Sequence, residues 1–323
     1  MSTLDELDGK ARGQGSKWSS GWLPGPSRLF RWGTIVGLTK ATLRLAQRDP
    51  VTFLGLLLVA VTLIFVIFGP FISPYPPLET HYDDILRKPG YPFLLGTDSF
   101  GRDVFSRLVS GARTAIFLAV IPVIVGSLIG AVIGMVSAYA GGWTDLFVQR
   151  VMDGFVAIPT LILALALVAV LGRSDSNVAI AIAALNVPVA NRVVRSVTLS
   201  IREEPYVEAA RAIGASPRRI MAYHIGPNSI PPLLVLVTNQ ISWAIIVAAS
   251  LSFLGLGSPP PSPTWGGMLS EGMREYATRA PWLAIAPAVF MFVAILGFTI
   301  VGDAARDHLD PRMTEKGRSS GEA

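Results

Sequence analysis

The sequence predicts an all-α polytopic membrane protein with six transmembrane helices. Three observations carry that prediction. Of 323 residues, 51% are hydrophobic and 15% charged, and the mean hydropathy is +0.52, a balance typical of chains whose solvent is lipid. Six apolar runs recur along the chain between polar stretches. One of those stretches, residues 202–228, is so charged that it must lie outside the membrane its neighbours cross.

Residues 1–50 are polar and basic, with eight Lys or Arg. They lack the short apolar core and small-residue cleavage site of a signal peptide. Residues 1–27 are expected to be disordered, and residues 29–47 are either a helix on the membrane surface or a tether. Val51 to Ile72 is free of charge over 22 residues, about 33 Å of helix, enough to cross a hydrocarbon core of about 30 Å. Residues 73–111 then form an extracytoplasmic segment, and residues 112–303 hold the five remaining spans.

The second span, Thr114 to Ala138, is interrupted by Pro122. Its Gly126, Gly130 and Gly134 repeat every four residues, a pattern that lets another backbone approach closely. The third is expected as one helix over Val151 to Leu171, with Pro159 near its start. A short turn, Gly172 to Asn177, makes the fourth span, Val178 to about Val194, its antiparallel neighbour. The fourth carries Asn186, and the fifth, Ile230 to Leu251, carries Thr238-Asn239-Gln240. Amides at membrane depth must face protein or water, so Asn186, Asn239, Gln240 and Trp243 are candidate pathway-lining residues; bonding to a neighbouring helix is the alternative for Asn186. Gly257 to Trp265 is too rich in proline to continue a helix, and Trp265 and Trp282 are expected as interfacial anchors of an external elbow. Ala284 to Val301 is the sixth span, and residues 304–323 form a polar tail.

Several chemistries are disfavoured. There is no cysteine, which removes disulfides, Cys-based metal sites and thiol nucleophiles. Gly96 to Asp103 resembles a phosphate loop but lacks its Lys followed by Ser or Thr, so it is expected to be a turn held by Asp to Arg pairing. His81-Tyr82-Asp83-Asp84 lacks the spacing of a metal site. No catalytic, cofactor-binding or metal-binding residue is therefore assigned. The sequence pI is about 9.7, which in a soluble protein would raise nucleic acid as a partner; here topology accounts for it. With the N-terminus inside, 19 of the 27 Lys and Arg fall on the cytoplasmic side, the asymmetry expected of a membrane protein with both termini cytoplasmic.

The charged stretch REEPYVEAARAIGASPRRIMAYHIGPN, Arg202 to Asn228, reads as two short helices. Pro205 suits a first helical position behind Glu203 and Glu204. Tyr206, Ala210 and Ile213 share a face, and Gly214 stops the helix. Ser216 caps a second helix, Pro217 begins it, Ile220, Tyr223 and His224 continue its face, and Gly226-Pro227 is expected to end it. Arg218 and Arg219 stand in its first turn, where the helix dipole disfavours them by about 0.3 to 1 kcal/mol each. Either the cytoplasmic preference for basic residues or an acidic groove on a partner would place them there.

Glu208-Ala209-Ala210, Gly214 and His224-Ile225-Gly226-Pro227 resemble the EAA loop by which ABC-importer permeases dock onto their ATPase subunits. Leu95 to Arg113, Tyr139 to Pro159, Ser252 to Gly267 and Asp310-Pro311-Arg312 are similar to one branch, the DppC/OppC-like permeases of dipeptide and oligopeptide importers. Gly226 departs from the usual leucine. The resemblance implies a type I (MetI-like) importer fold. It makes Tyr206, Glu208, Ala209, Ala210, Gly214, Ala215, Ser216, Arg218, Arg219, His224 and Pro227 the ATPase-coupling residues.

It further implies a heterodimer with a second homologous permease subunit, two cytoplasmic ATP-binding subunits, an extracytoplasmic substrate-binding protein and a lipid inner membrane, with ATP hydrolysed by the partners. Peptides are the expected cargo; nickel complexes and glutathione are alternatives. Two rivals need no such partners: a membrane enzyme using Glu203, Glu204 and His224, and a passive channel.

Overall fold

The computed structural model describes residues 49–309. The expected stretches 1–27 and 29–47 and the Asp310-Pro311-Arg312 run lie outside the described residues. Ten α-helices are described: α1 (Pro50–Ile72), α2 (Val104–Ala140), α3 (Gly142–Ala157), α4 (Thr160–Leu171), α5 (Asp175–Ile201), α6 (Pro205–Ala212), α7 (Pro217–Ile220), α8 (Gly226–Phe253), α9 (Trp265–Glu275) and α10 (Trp282–Leu309). Five stretches are long and apolar enough to cross a membrane: α1, α2, α5, the continuous Pro217–Phe253 helix and α10. The α3–α4 pair makes a sixth if its two halves count as one span.

The centre of the bundle is the crossing of α2 and α5. A Cβ on Gly126 would stand 2.2 Å from the Ala183 carbonyl oxygen, one on Gly130 2.2 Å from that of Val187, and one on Gly134 2.5 Å from that of Asn191. The four-residue repeat is therefore a seam on which two backbones meet, as small residues allow in lipid. Around it, Val123, Ile182, Leu185, Ile245 and Leu251 close the apolar core.

Three expectations need correction. The third span is not one helix: α3 ends at Ala157, Ile158 is extended, and α4 leaves at 93°. Pro159 is the cause, because proline drives its predecessor out of the helical region and offers no N–H. The Gly226-Pro227 pair does not end a helix. A π-turn over Met221–Ile225, closed by Gly226 N–H on the Met221 carbonyl, widens the backbone where Pro227 would otherwise clash and carries α7 into α8. Trp265 is not an interfacial anchor. It is 3% exposed, and its indole Nε1 donates to the Leu108 carbonyl at 2.9 Å, so the ring fills the core with its polar edge satisfied.

Candidate functional site

Two ends of the bundle carry its concentrated charge. At the first, α6 begins with Pro205 behind Glu204 in extended conformation. Gly214 takes φ +84°, a left-handed geometry natural to glycine. The Gly214 and Ala215 amides donate back to the Arg211 and Ala210 carbonyls at 2.9 and 3.0 Å, closing the turn as a helix C-terminus requires. Ser216 then caps α7, its hydroxyl accepting from Arg219 N–H at 3.4 Å.

The unit has two faces. Val207, Ile220 and Ile225 are buried against Met135 and Tyr139 of α2 and Ile201 of α5, and Ala210 is buried beside them. Arg202 donates to the Ala138 carbonyl at 2.9 Å, while Arg211 lies 5.5 Å from the Tyr139 ring centroid. On the other face Ile213 is 86% exposed, Tyr223 74% and Tyr206 47%. Glu208, Ala209, Ser216, Arg218, Arg219 and Pro227 are exposed with them, and Ala215 and His224 are half-buried. The Tyr206 and His224 rings pack 5.8 Å apart. Neither Arg218 nor Arg219 makes an ion pair among the described residues. The unit thus has an apolar base packed on α2 and α5 and an exposed amphipathic top. Glu203 pairs with Arg202 at 2.8 Å; among the described residues nothing joins it to His224.

The candidate pathway residues lie within the bundle. Asn186 is buried; its amide donates to the Ile182 carbonyl at 2.9 Å, and its Oδ1 accepts from Gln240 Nε2 at 2.9 Å. The pair clamps α5 to α8, which is the helix-bonding alternative for Asn186. Asn239 donates to the Val235 carbonyl at 3.3 Å and faces Gly302 of α10. Trp243 is half-buried against the core.

The opposite end holds the expected Asp-to-Arg turn and, beside it, a cleft that sequence reasoning missed. Asp98 accepts from the amides of Phe100 and Arg102 at 2.8 and 2.9 Å and from Arg102 Nε at 2.7 Å, so the loop resembling a phosphate site is a turn organised by its own carboxylate. Beside it opens a cleft of about 920 Å³, lined among others by Arg102, Arg107, Arg173, Glu271 and Arg274. Part of the signal was present: Arg107 is a charge near the start of a largely apolar helix, and Glu271 shares the short α9 with Arg274 and Glu275. Their convergence across more than 160 residues of chain was not readable.

Residues 126–315 match the family described as binding-protein-dependent transport system inner membrane component. The chain belongs to this permease family. Residues 40–89 of the permease match the N-terminal TM domain of oligopeptide transport permease C. It is similar to the dipeptide transport system permease protein DppC of Alkalihalophilus pseudofirmus, 38% identical over 280 residues, 87% of this chain and 92% of that protein. It is also similar to the glutathione transport system permease protein GsiD of Escherichia coli, 39% identical over 301 residues, 88% of this chain and 99% of that protein. The permease is thus an all-α, multi-pass subunit of a binding-protein-dependent importer, its two matched stretches covering α1 and the chain from the middle of α2 through α10.

Proposed function

We propose that this permease forms one half of a peptide translocation path and that its 202–228 loop takes up force from ATP-binding subunits. The carrying observation is the two-faced loop: Tyr206, Ile213 and Tyr223 are exposed above an anchor of buried Val207, Ile220 and Ile225. Exposed aromatic and aliphatic groups on a firm base are what a partner's groove engages, and short rigid helices transmit displacement that a floppy loop would absorb. The distribution of Lys and Arg supports placing the loop and both termini in the cytoplasm of a cell whose inner membrane surrounds the spans.

In this reading two ATP-binding subunits dock below, a second homologous permease completes the path, and a binding protein delivers solute from outside. In this reading the chain works without a cofactor of its own. The name of the DppC relative supports dipeptides, and that of the GsiD relatives makes glutathione the second reading.

The test is ATP-dependent uptake into vesicles by the assembled complex, with a labelled dipeptide and with glutathione. A β-branched residue at Gly214, whose φ is +84°, costs about 1–3 kcal/mol in backbone strain, enough to depopulate the docked loop roughly tenfold. Gly214→Val and Glu208→Lys are expected to cut uptake and leave ATP hydrolysis uncoupled, with membrane insertion intact. Normal coupled uptake by both variants would refute the role of the loop.

A further inference from the structure

The cleft of about 920 Å³ lies at the end of the bundle away from the coupling loop, walled by Arg102 and Arg107, by Arg173 of the α4–α5 turn, and by Glu271, Arg274 and Glu275 of α9. Its volume falls in the range of small-molecule sites, roughly 300–1,000 Å³. Arg107 is the least satisfied of its charges. Its side chain is 5% exposed, yet Nε has no hydrogen-bond partner and Nη1 reaches the Pro77 carbonyl only at 3.4 Å. Asp98 Oδ2 lies 3.4 Å away and is already held by Arg102 at 2.7 Å. The neighbouring carboxylate, Asp103, is committed through Oδ2 to capping α2, and its Oδ1 has no hydrogen-bond partner.

Burying a guanidinium with so few contacts is unfavourable unless an opposite charge completes it. A carboxylate does so best, because its two oxygens match two parallel N–H groups. Arg173 and Arg274, exposed at the same cleft, extend the positive field toward the opening. Glu271, which accepts from the Ser99 hydroxyl, and the exposed Glu275 oppose a purely anionic ligand and match an ammonium group. A protein-docking surface would hold its charges outward, whereas Arg102 and Arg107 are recessed.

We propose that this cleft is a receiving site for a zwitterionic small solute, its carboxylate held by Arg107 with Arg173 and Arg274, and its ammonium facing Glu275. The proposal rests on the peptide-import reading above. It adds a selection step in the permease itself, after delivery.

The test uses the complete transporter in vesicles and one dipeptide in three forms, free, C-terminally amidated and N-acetylated, with uptake normalised to the amount held by the binding protein. The wild type is expected to favour the free form. Arg107→Gln is expected to lower the free-to-amidated preference about tenfold, the loss of one charge-assisted hydrogen bond. Glu275→Gln should lower the free-to-acetylated preference in the same manner. Arg173→Gln, at an exposed position, moves the first ratio in the same direction by about threefold and decides the matter if Arg107→Gln fails to assemble. Equal loss of all three forms in the arginine variants, or unchanged ratios, overturns the proposal: the charges then serve architecture or docking of the binding protein. A wild-type complex that takes up no form of the peptide with ATP instead fells the import reading, and the two failures are distinct.

Discussion

The two charged ends of this permease are built on opposite plans. At the 202–228 loop the apolar residues Val207, Ile220 and Ile225 are buried while Glu208, Arg218 and Arg219 are out in solvent. At the cleft the innermost charges are buried, Asp98, Arg102, Asp103 and Arg107, with only Arg173, Arg274 and Glu275 exposed at its opening, while Tyr91 and Phe100 are exposed. Charges left in solvent retain their hydration and add little to stability, so they are free to serve a partner that comes and goes. Charges taken inside must be satisfied by one another or by a ligand, so they fix a geometry. The first plan makes a surface to be gripped, the second a preset site. Substitutions should therefore separate the ends: stability should suffer at the cleft, and coupling at the loop.

The largest expected effect is at Asp98. Its carboxylate accepts three hydrogen bonds from the elbow and stands between two buried guanidiniums. Removing one partner of a buried pair typically costs about 3–5 kcal/mol, because the other charge stays buried and uncompensated. Asp98→Ala is expected to lower the thermal midpoint of the detergent-solubilised permease by more than any single loop substitution. A midpoint within a degree or two of wild type would mean that Arg102 and Arg107 are hydrated, and the contrast between the ends would dissolve.

An intermediate effect is expected where the loop does depend on a local bond. Ser216 caps α7 and sets the approach to the π-turn. Ser216→Ala should cost about 0.5–2 kcal/mol, read as faster amide exchange over residues 213–220 with the rest of the bundle unchanged. Loss of protection in α2 and α5 as well would show that the loop is part of the folding core rather than mounted upon it.

Much of the architecture was legible because lipid imposes a simple rule. Runs such as Val51 to Ile72 announce spans by length, and the glycines at 126, 130 and 134 announce a seam by spacing. The loop was legible because its stops and caps are local: Pro205, Gly214, Ser216 and Pro217 each act within a turn of themselves. What stayed hidden depended on competition or on distance. At Pro159 and at Pro227 the same residue type gives opposite outcomes, a 93° break and a helix that runs on. The difference lies in whether the preceding turn can widen, which apolar length cannot reveal. Trp265 stands at the end of a proline-rich stretch that suggests an external elbow, but its partner, the Leu108 carbonyl, is 157 residues away. The cleft likewise joins residues from α2, α9 and the α4–α5 turn, and only the packed bundle brings them together.

The smallest expected structural effect, and the one that sharpens the comparison most, belongs to Arg218 and Arg219. Both sit in the first turn of α7, where the helix dipole works against them, and neither has an ion-pair partner among the described residues. Replacing both with serine removes that repulsion and no internal contact. The thermal midpoint should move by less than about 2 °C, in either direction. If the pair exists to meet acidic residues of an ATP-binding subunit, the same variant should weaken assembly, and the deficit should shrink as salt is raised, because screening removes in the wild type what the mutation removes at low salt. If they merely enforce orientation, assembly at every ionic strength should match wild type while the fraction of correctly inserted chains falls. The two arginines thus divide cleanly between membrane topology and partner recognition, and salt titration of assembly tells which of these keeps them in an unfavourable turn.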